Sequence, residues 1–102
     1  DDRKAMRELH RILKKTGCGI LVVPMDLNQT EIDEDPDCKD IGERWRRFGQ
    51  NDHVRKYSRA GYIARLAEAG FQVLQFQKKY FGSQAMYENA LTETATVYIV
   101  VK

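Results

Sequence analysis

The run from Thr94 to Val101, Thr-Ala-Thr-Val-Tyr-Ile-Val-Val, constrains the fold of this chain more than any other stretch. It is β-branched nearly throughout and apolar at alternate and intervening positions alike, so neither face of a strand built from it suits water. Such a strand belongs inside a sheet, with a neighbour along each edge. Gly19 to Val23, Gly-Ile-Leu-Val-Val, is a second continuous apolar run, placed after a glycine turn and closed by Pro24. It reads as a strand buried on both faces, in the manner of a parallel sheet. Phe71 to Gln77 supplies a third strand.

Two helices accompany these strands. In residues 1–15, Ala5, Leu9, Ile12 and Leu13 fall on one apolar stripe, with Asp1 and Asp2 at the positive end, Lys14 and Lys15 at the negative end and Gly17 as the stop. His10 lies off that stripe among Arg7, Arg11 and Lys14, which predicts a solvated surface histidine. In residues 58–69, Ser58 caps a helix that runs through Ile63, Leu66 and Ala67, with Gly70 at its end and Gly61 weakening it slightly. The expected order is therefore helix 1–15, strand 19–23, long loop 24–57, helix 58–69, strand 71–77 and strand 94–101, with a helical turn near Met86 in the last connector. That is an α/β arrangement of three strands and two main helices.

A chain of 102 residues makes one domain at most. With 42% hydrophobic and 31% charged residues it reads as soluble and globular, and a net charge of +2 without a basic stripe argues against a nucleic-acid partner. No apolar run approaches the length of a membrane span. Cys18 and Cys38 have no redox or metal spacing, so a reducing, cytoplasmic setting is expected and no metal site is assigned. The chain opens on Asp1-Asp2 at the edge of a helix, which reads as the interior of a longer protein.

The excursion from 24 to 57 holds the polar chemistry. Glu31, Asp33, Glu34, Asp35, Asp37 and Asp40 crowd around Pro36. Asp33, Asp35 and Asp37 mimic the start of a calcium loop, but Cys38 stands where that loop needs glycine and Arg44 where it needs glutamate, so calcium is rejected. A solvated, mobile acidic loop is the expectation. Ile41, Trp45 and Phe48 then recur at helical spacing, predicting a short amphipathic helix. After it, Phe48 to Tyr57 (Phe-Gly-Gln-Asn-Asp-His-Val-Arg-Lys-Tyr) gathers a carboxylate, an imidazole, a guanidinium, two carboxamides and a phenol into ten residues. A polar turn between patterned segments is where loops carry binding and catalysis. On the residues alone two readings stand: these groups form a site, or Asp52 and Arg55 make an ion pair that fixes the loop while His53 bonds to backbone.

Arg7 to Leu21, then Glu34-Asp35-Pro36, Phe48-Gly49-Gln50, Asp52-His53-Val54-Arg55, Tyr57, Arg65-Leu66 and Glu68-Ala69-Gly70-Phe71 together resemble the C-terminal half of a class I S-adenosylmethionine-dependent methyltransferase, in one bacterial subgroup. Lys15 departs from that pattern, which has proline there, and Thr16-Gly17-Cys18 makes a bulkier turn. The resemblance covers nearly the whole chain. It implies the end of a Rossmann-like sheet, with one parallel strand (19–23) and a C-terminal antiparallel pair, the last strand inserted between the other two. It also implies that the cofactor-cradling turn belongs to an upstream part of a larger protein. Gly17-Cys18-Gly19 precedes a strand, the wrong order for that role, so this chain alone is expected to bind no S-adenosylmethionine and to be inactive.

Under the resemblance, Asp26 and Asn28 beyond the buried strand, with Gln50, Arg55 and Tyr57, would bind the methyl acceptor, whose identity the sequence leaves open. His53, with Asp52 beside it, would take up a proton, since the unperturbed imidazole titrates near neutral pH. Arg55 would hold an anionic acceptor group or Asp52. A different class of function is a non-catalytic interaction module. An apolar strand edge at 19–23 without a neighbour predicts a homo-oligomer assembled through that edge.

Overall fold

The computed structural model describes all 102 residues, and the chain divides into two compact units, Asp1–Val22 with Arg65–Lys102, and Val23–Ala64. In chain order the elements are α1 (Asp2–Ile12), β1 (Cys18–Leu21), β2 (Asp33–Glu34), α2 (Ile41–Phe48), β3 (Arg55–Lys56), α3 (Arg59–Glu68), β4 (Gln72–Phe76), α4 (Lys78–Phe81), α5 (Ser83–Glu88) and β5 (Val97–Val101).

The first unit carries a three-stranded sheet in the order β1-β5-β4. The C-terminal strand sits in the centre, as its two apolar faces require. Both pairings are antiparallel, with Ile20 opposite Ile99 on one side and Leu74 opposite Ile99 on the other. The strand at 19–23, expected to be parallel, is bonded only to β5 and so makes no parallel pair. Its neighbour within the chain is the one strand that runs the opposite way. β1 also stops at Leu21, opposite Tyr98 and one residue short of the end of β5, and Val22 beyond it is 88% exposed. Likewise β5 starts at Val97, opposite the last residue of β4, and Thr96 instead accepts a side-chain hydrogen bond from Gln77.

Side chains on a strand alternate between faces, and partners in register share one. Tyr98 and Val100 are buried, as is fitting for the covered face. Val97, Ile99 and Val101 on the other face are only half-buried, and their neighbours Ile20 and Leu74 are exposed. The strand is thus interior along the sheet and covered on one face.

Helix α1 starts where expected but ends at Ile12, so Lys14 and Lys15 lie beyond it and His10 and Arg11 occupy its last turn. Asp1 accepts a hydrogen bond from the Lys4 amide at 3.0 Å, and Lys102 Nζ donates to the carbonyls of Arg11 and Leu13 at the other end. The stripe differs from expectation. Met6 is the buried residue, while Leu9 and Ile12 remain 40% and 63% exposed. A sheet of three strands offers too little surface to cover the whole stripe. His10 is not a freely solvated side chain: its ring meets Phe71 edge-on, 5.1 Å between centroids, and lies over Gly70. Gly70 is required twice, by a φ of +104° and because a Cβ there would stand 2.9 Å from His10 Nε2. Asp2 reaches across to the buried Arg65 at 2.5 Å, an ion pair that ties α1 to the C-terminal part of α3.

In the second unit the long loop contains the short helix expected in it and, beyond expectation, two short strands. β2 and β3 pair antiparallel, Asp33 opposite Lys56 and Glu34 opposite Arg55. Two-residue strands leave no periodicity for sequence reading to catch. α2 spans the Ile41, Trp45 and Phe48 repeat, but only Phe48 is buried, with Ile41 and Trp45 exposed. Asp40 caps its start and Gly49, at φ +80°, ends it. Ser58 caps α3 through the Gly61 amide at 3.1 Å.

Gly61 does more than weaken that helix. A Cβ there would fall 2.5 Å from Ile32 Cγ1 and 2.9 Å from Ser58 Oγ. Alanine would gain about 1 kcal/mol of helix propensity, yet it would force a stiff β-branched side chain aside at a cost of about 1–3 kcal/mol. Gly61→Ala should therefore lower stability in urea denaturation, and a stabilised variant would show that Ile32 does not pack there.

Candidate functional site

All seven residues singled out from the sequence, Asp26, Asn28, Gln50, Asp52, His53, Arg55 and Tyr57, lie in the unit Val23–Ala64. The backbone brings the two ends of the excursion together. Tyr57 N–H donates to the Pro24 carbonyl, and Asp26 N–H donates to the Tyr57 carbonyl, each at 2.9 Å, so Met25 and Tyr57 form a parallel bridge. Asp26 then turns the chain: its carboxylate accepts from the Asn28 amide at 2.9 Å and its carbonyl from Gln29. Asp26, Asn28 and Tyr57 are thereby neighbours. The Tyr57 ring is buried, packed 5.1 Å from Tyr62.

Arg55 does not hold Asp52. Its position on β3 sets it opposite Glu34, and Nε donates to Glu34 Oε2 at 2.5 Å. Asp52 stays in the turn after Gly49, with its side chain 76% exposed. The strand register, invisible in the sequence, decides between the two carboxylates. Arg55 also lies over the Tyr57 ring, 5.9 Å from its centroid.

His53 is held by its backbone, whose N–H donates to the Gln50 carbonyl at 3.4 Å. The side-chain bond to backbone expected on the structural reading is not made. Nδ1 is shielded from solvent without a hydrogen-bond partner in the chain, and Nε2 stands 3.8 Å from Asp52 Oδ1, beyond hydrogen-bond reach. Nε2 beside an exposed carboxylate is the nitrogen positioned to exchange a proton. Gln50 and Asn28 present exposed carboxamides.

The acidic cluster is solvated only in part: Glu31, Asp37 and Asp40 are exposed, while Asp33, Glu34 and Asp35 each meet an arginine. Arg47, which the helical repeat placed away from the apolar side of α2, donates to Asp33 at 2.7 Å and to Asp35 at 3.1 Å, with its guanidinium 4.9 Å from the Phe48 ring. Arg44 ties the far end, donating to the carbonyls of Cys38 and Asn51. Asp40 serves as the cap of α2, and the Asp35 carboxylate accepts from the Asp37 amide. The hydrogen bond to Asp33, followed by the charges of Asp33 and Asp35, holds Arg47 more firmly protonated than a free guanidinium. On α2 itself, the Arg46 hydrogen bond holds the Glu43 carboxyl below the usual range. A depressed carboxylate contributes above its unfolded value and loses that contribution as pH falls through its folded value.

Arg44 and Arg47 are the residues that sequence reasoning missed. For Arg47 the signal was present in the acids before the helix, but which of them it meets depends on the turn at Pro36; Arg44 meets backbone carbonyls, which no side-chain pattern announces. With Arg47 and Arg55 each committed to carboxylates, the unit offers a buried-edge imidazole, an exposed carboxylate and carboxamides. That set suits proton exchange and hydrogen bonding to a neutral acceptor better than capture of an anion.

Comparison with models of known families, with curated proteins and with solved structures finds no match. No helix of the chain is long and apolar enough to cross a membrane.

The clamp can be tested directly. Partly exposed ion pairs contribute little to stability, so Arg47→Gln should lower stability only slightly but speed cleavage by an aspartate-directed protease within residues 33–40. Raising salt should shrink the difference from wild type. A difference unchanged at high salt would assign the effect to guanidinium packing on Phe48 instead.

Proposed function

We propose that this chain is the acceptor-side portion of a class I S-adenosylmethionine-dependent methyltransferase of cytoplasmic, bacterial type, inactive by itself. The observation that carries the reading is the sheet: β1 and β4 run in the same direction with β5 antiparallel between them. That is the order the sequence resemblance implies for the end of a Rossmann-like sheet.

The residues present do not fit the cofactor. Gly17 and Gly19 border an apolar groove and lead into a strand, whereas a turn that cradles the cofactor runs from a strand into a helix. What the chain's own residues would do is orient an acceptor and take its proton. In methyl transfer the protein aligns the acceptor, excludes water and, for a poor nucleophile, removes a proton. Asn28, Gln50 and Asp26 would hydrogen-bond the acceptor, and Tyr57 would wall the site. His53 Nε2 would accept the proton, with Asp52 favouring the imidazolium that results.

In the full-length enzyme, His53→Ala should reduce turnover by about 10²–10⁴-fold while leaving cofactor affinity nearly unchanged. Undiminished turnover would remove His53 from the mechanism. A parent coding sequence that lacks a glycine-rich strand-to-helix turn would remove the methyltransferase reading altogether.

A second reading, a module that associates with another copy of itself, is favoured by the β1 edge. β1 is bonded on one side only, and Cys18 to Val22 contains no proline or charge of the kind that normally blunts an edge.

A further inference from the structure

We infer that a second copy of this chain, paired through the free edge of β1, also fills the groove between α1 and the sheet with its own Leu9 and Ile12. The edge pairing is the second reading above and this inference rests on it; the groove and its occupant are what it adds.

The groove lies in the first unit and measures about 320 Å³. Its wall is α1, through Leu9, Ile12 and Leu13, and its floor is the covered face of the sheet, through Gly19, Leu21 and Val100. Two glycines keep it open. A Cβ at Gly17 would come within 3.2 Å of the Lys14 carbonyl oxygen and 3.3 Å of Leu13 Cδ1, and one at Gly19 within 3.3 Å of Val100 Cγ2. An apolar space of this kind stays dry or takes an apolar group, and about 150 Å³ suffices for one benzene. The groove therefore has room for roughly two branched aliphatic side chains.

Symmetry says which two. When a strand pairs antiparallel with its own copy, the two-fold axis stands perpendicular to the sheet and both copies keep the same face up. The two α1 helices then lie on one side of a six-stranded sheet, flanking the seam. Leu9 and Ile12, 40% and 63% exposed although they form the helix's apolar stripe, become the nearest large apolar groups of the partner. One operation thus satisfies an unpaired backbone edge, an exposed stripe and an open groove.

Charge agrees with the arrangement. Lys14 and Lys15 precede β1, so an antiparallel seam puts the lysine pairs of the two copies at opposite ends and keeps like charges apart.

Sedimentation of the wild-type chain, of Ile12→Glu and of Leu9→Lys, with hydrogen exchange at the β1 amides, tests this. Wild type should be dimeric at micromolar concentration with slowed exchange from Cys18 to Val22. Each variant should weaken the dimer at least about tenfold while melting like wild type when dilute, since both sites are exposed. If Ile12→Glu melts early, Ile12→Thr keeps the β-branched shape and should still weaken the dimer. A monomeric wild type overturns the edge pairing and the groove assignment together, as does a dimer whose β1 amides exchange freely. A dimer with protected β1 amides that tolerates the Ile12 and Leu9 variants keeps the edge pairing and overturns the groove assignment.

Discussion

The sheet depends on one strand. β5 supplies every strand-to-strand hydrogen bond in it, since β1 and β4 touch β5 and not each other. This explains why the C-terminal run is so strongly β-branched and apolar. A strand with two ladders to hold must fit a pleated surface on each side, and Val, Ile and Tyr do that best. It also bounds the flanking strands: β4 pairs along the whole of β5, and β1 along all but Val97. Removing apolar bulk from Ile99, which faces Ile20 on one flank and Leu74 on the other, would loosen both pairings at once.

The second unit is built on a different balance. Cys38, Phe48, Tyr57, Ser58 and Tyr62 are buried there, but its strands are two residues long and much of its geometry is set by arginines on carboxylates and carbonyls. Crowded acids that would repel each other in isolation become ligands for guanidinium groups. The planar donor fork of Arg47 serves two of them, which a lysine could not do with the same geometry.

Much of the framework was legible from residues alone. The two main helices, the three sheet strands and the central place of the last one follow from periodicity and from β-branched runs. The helix cap at Ser58 was equally readable, because a cap is a local interaction between residues three or four apart. What escaped was decided by register and by the amount of surface available. Asp52 and Glu34 are equivalent candidates for Arg55 until β3 is aligned with β2. The α1 stripe was found, but how much of it is covered depends on the width of the sheet beneath it. The candidate site shows the same division: its members all fall in one unit, yet their partners differ from those that sequence proximity suggested.

The central position of β5 also has a consequence during synthesis. The apolar stretch from Cys18 to Val22 leaves the ribosome long before Tyr98 to Val101, its partners, are made. At about 5–20 residues per second, that interval is on the order of ten seconds. Throughout it this uncharged strand waits without the partner it has in the sheet. Chaperone dependence would then concentrate at Cys18 to Val22, and end only when Tyr98 to Val101 arrive.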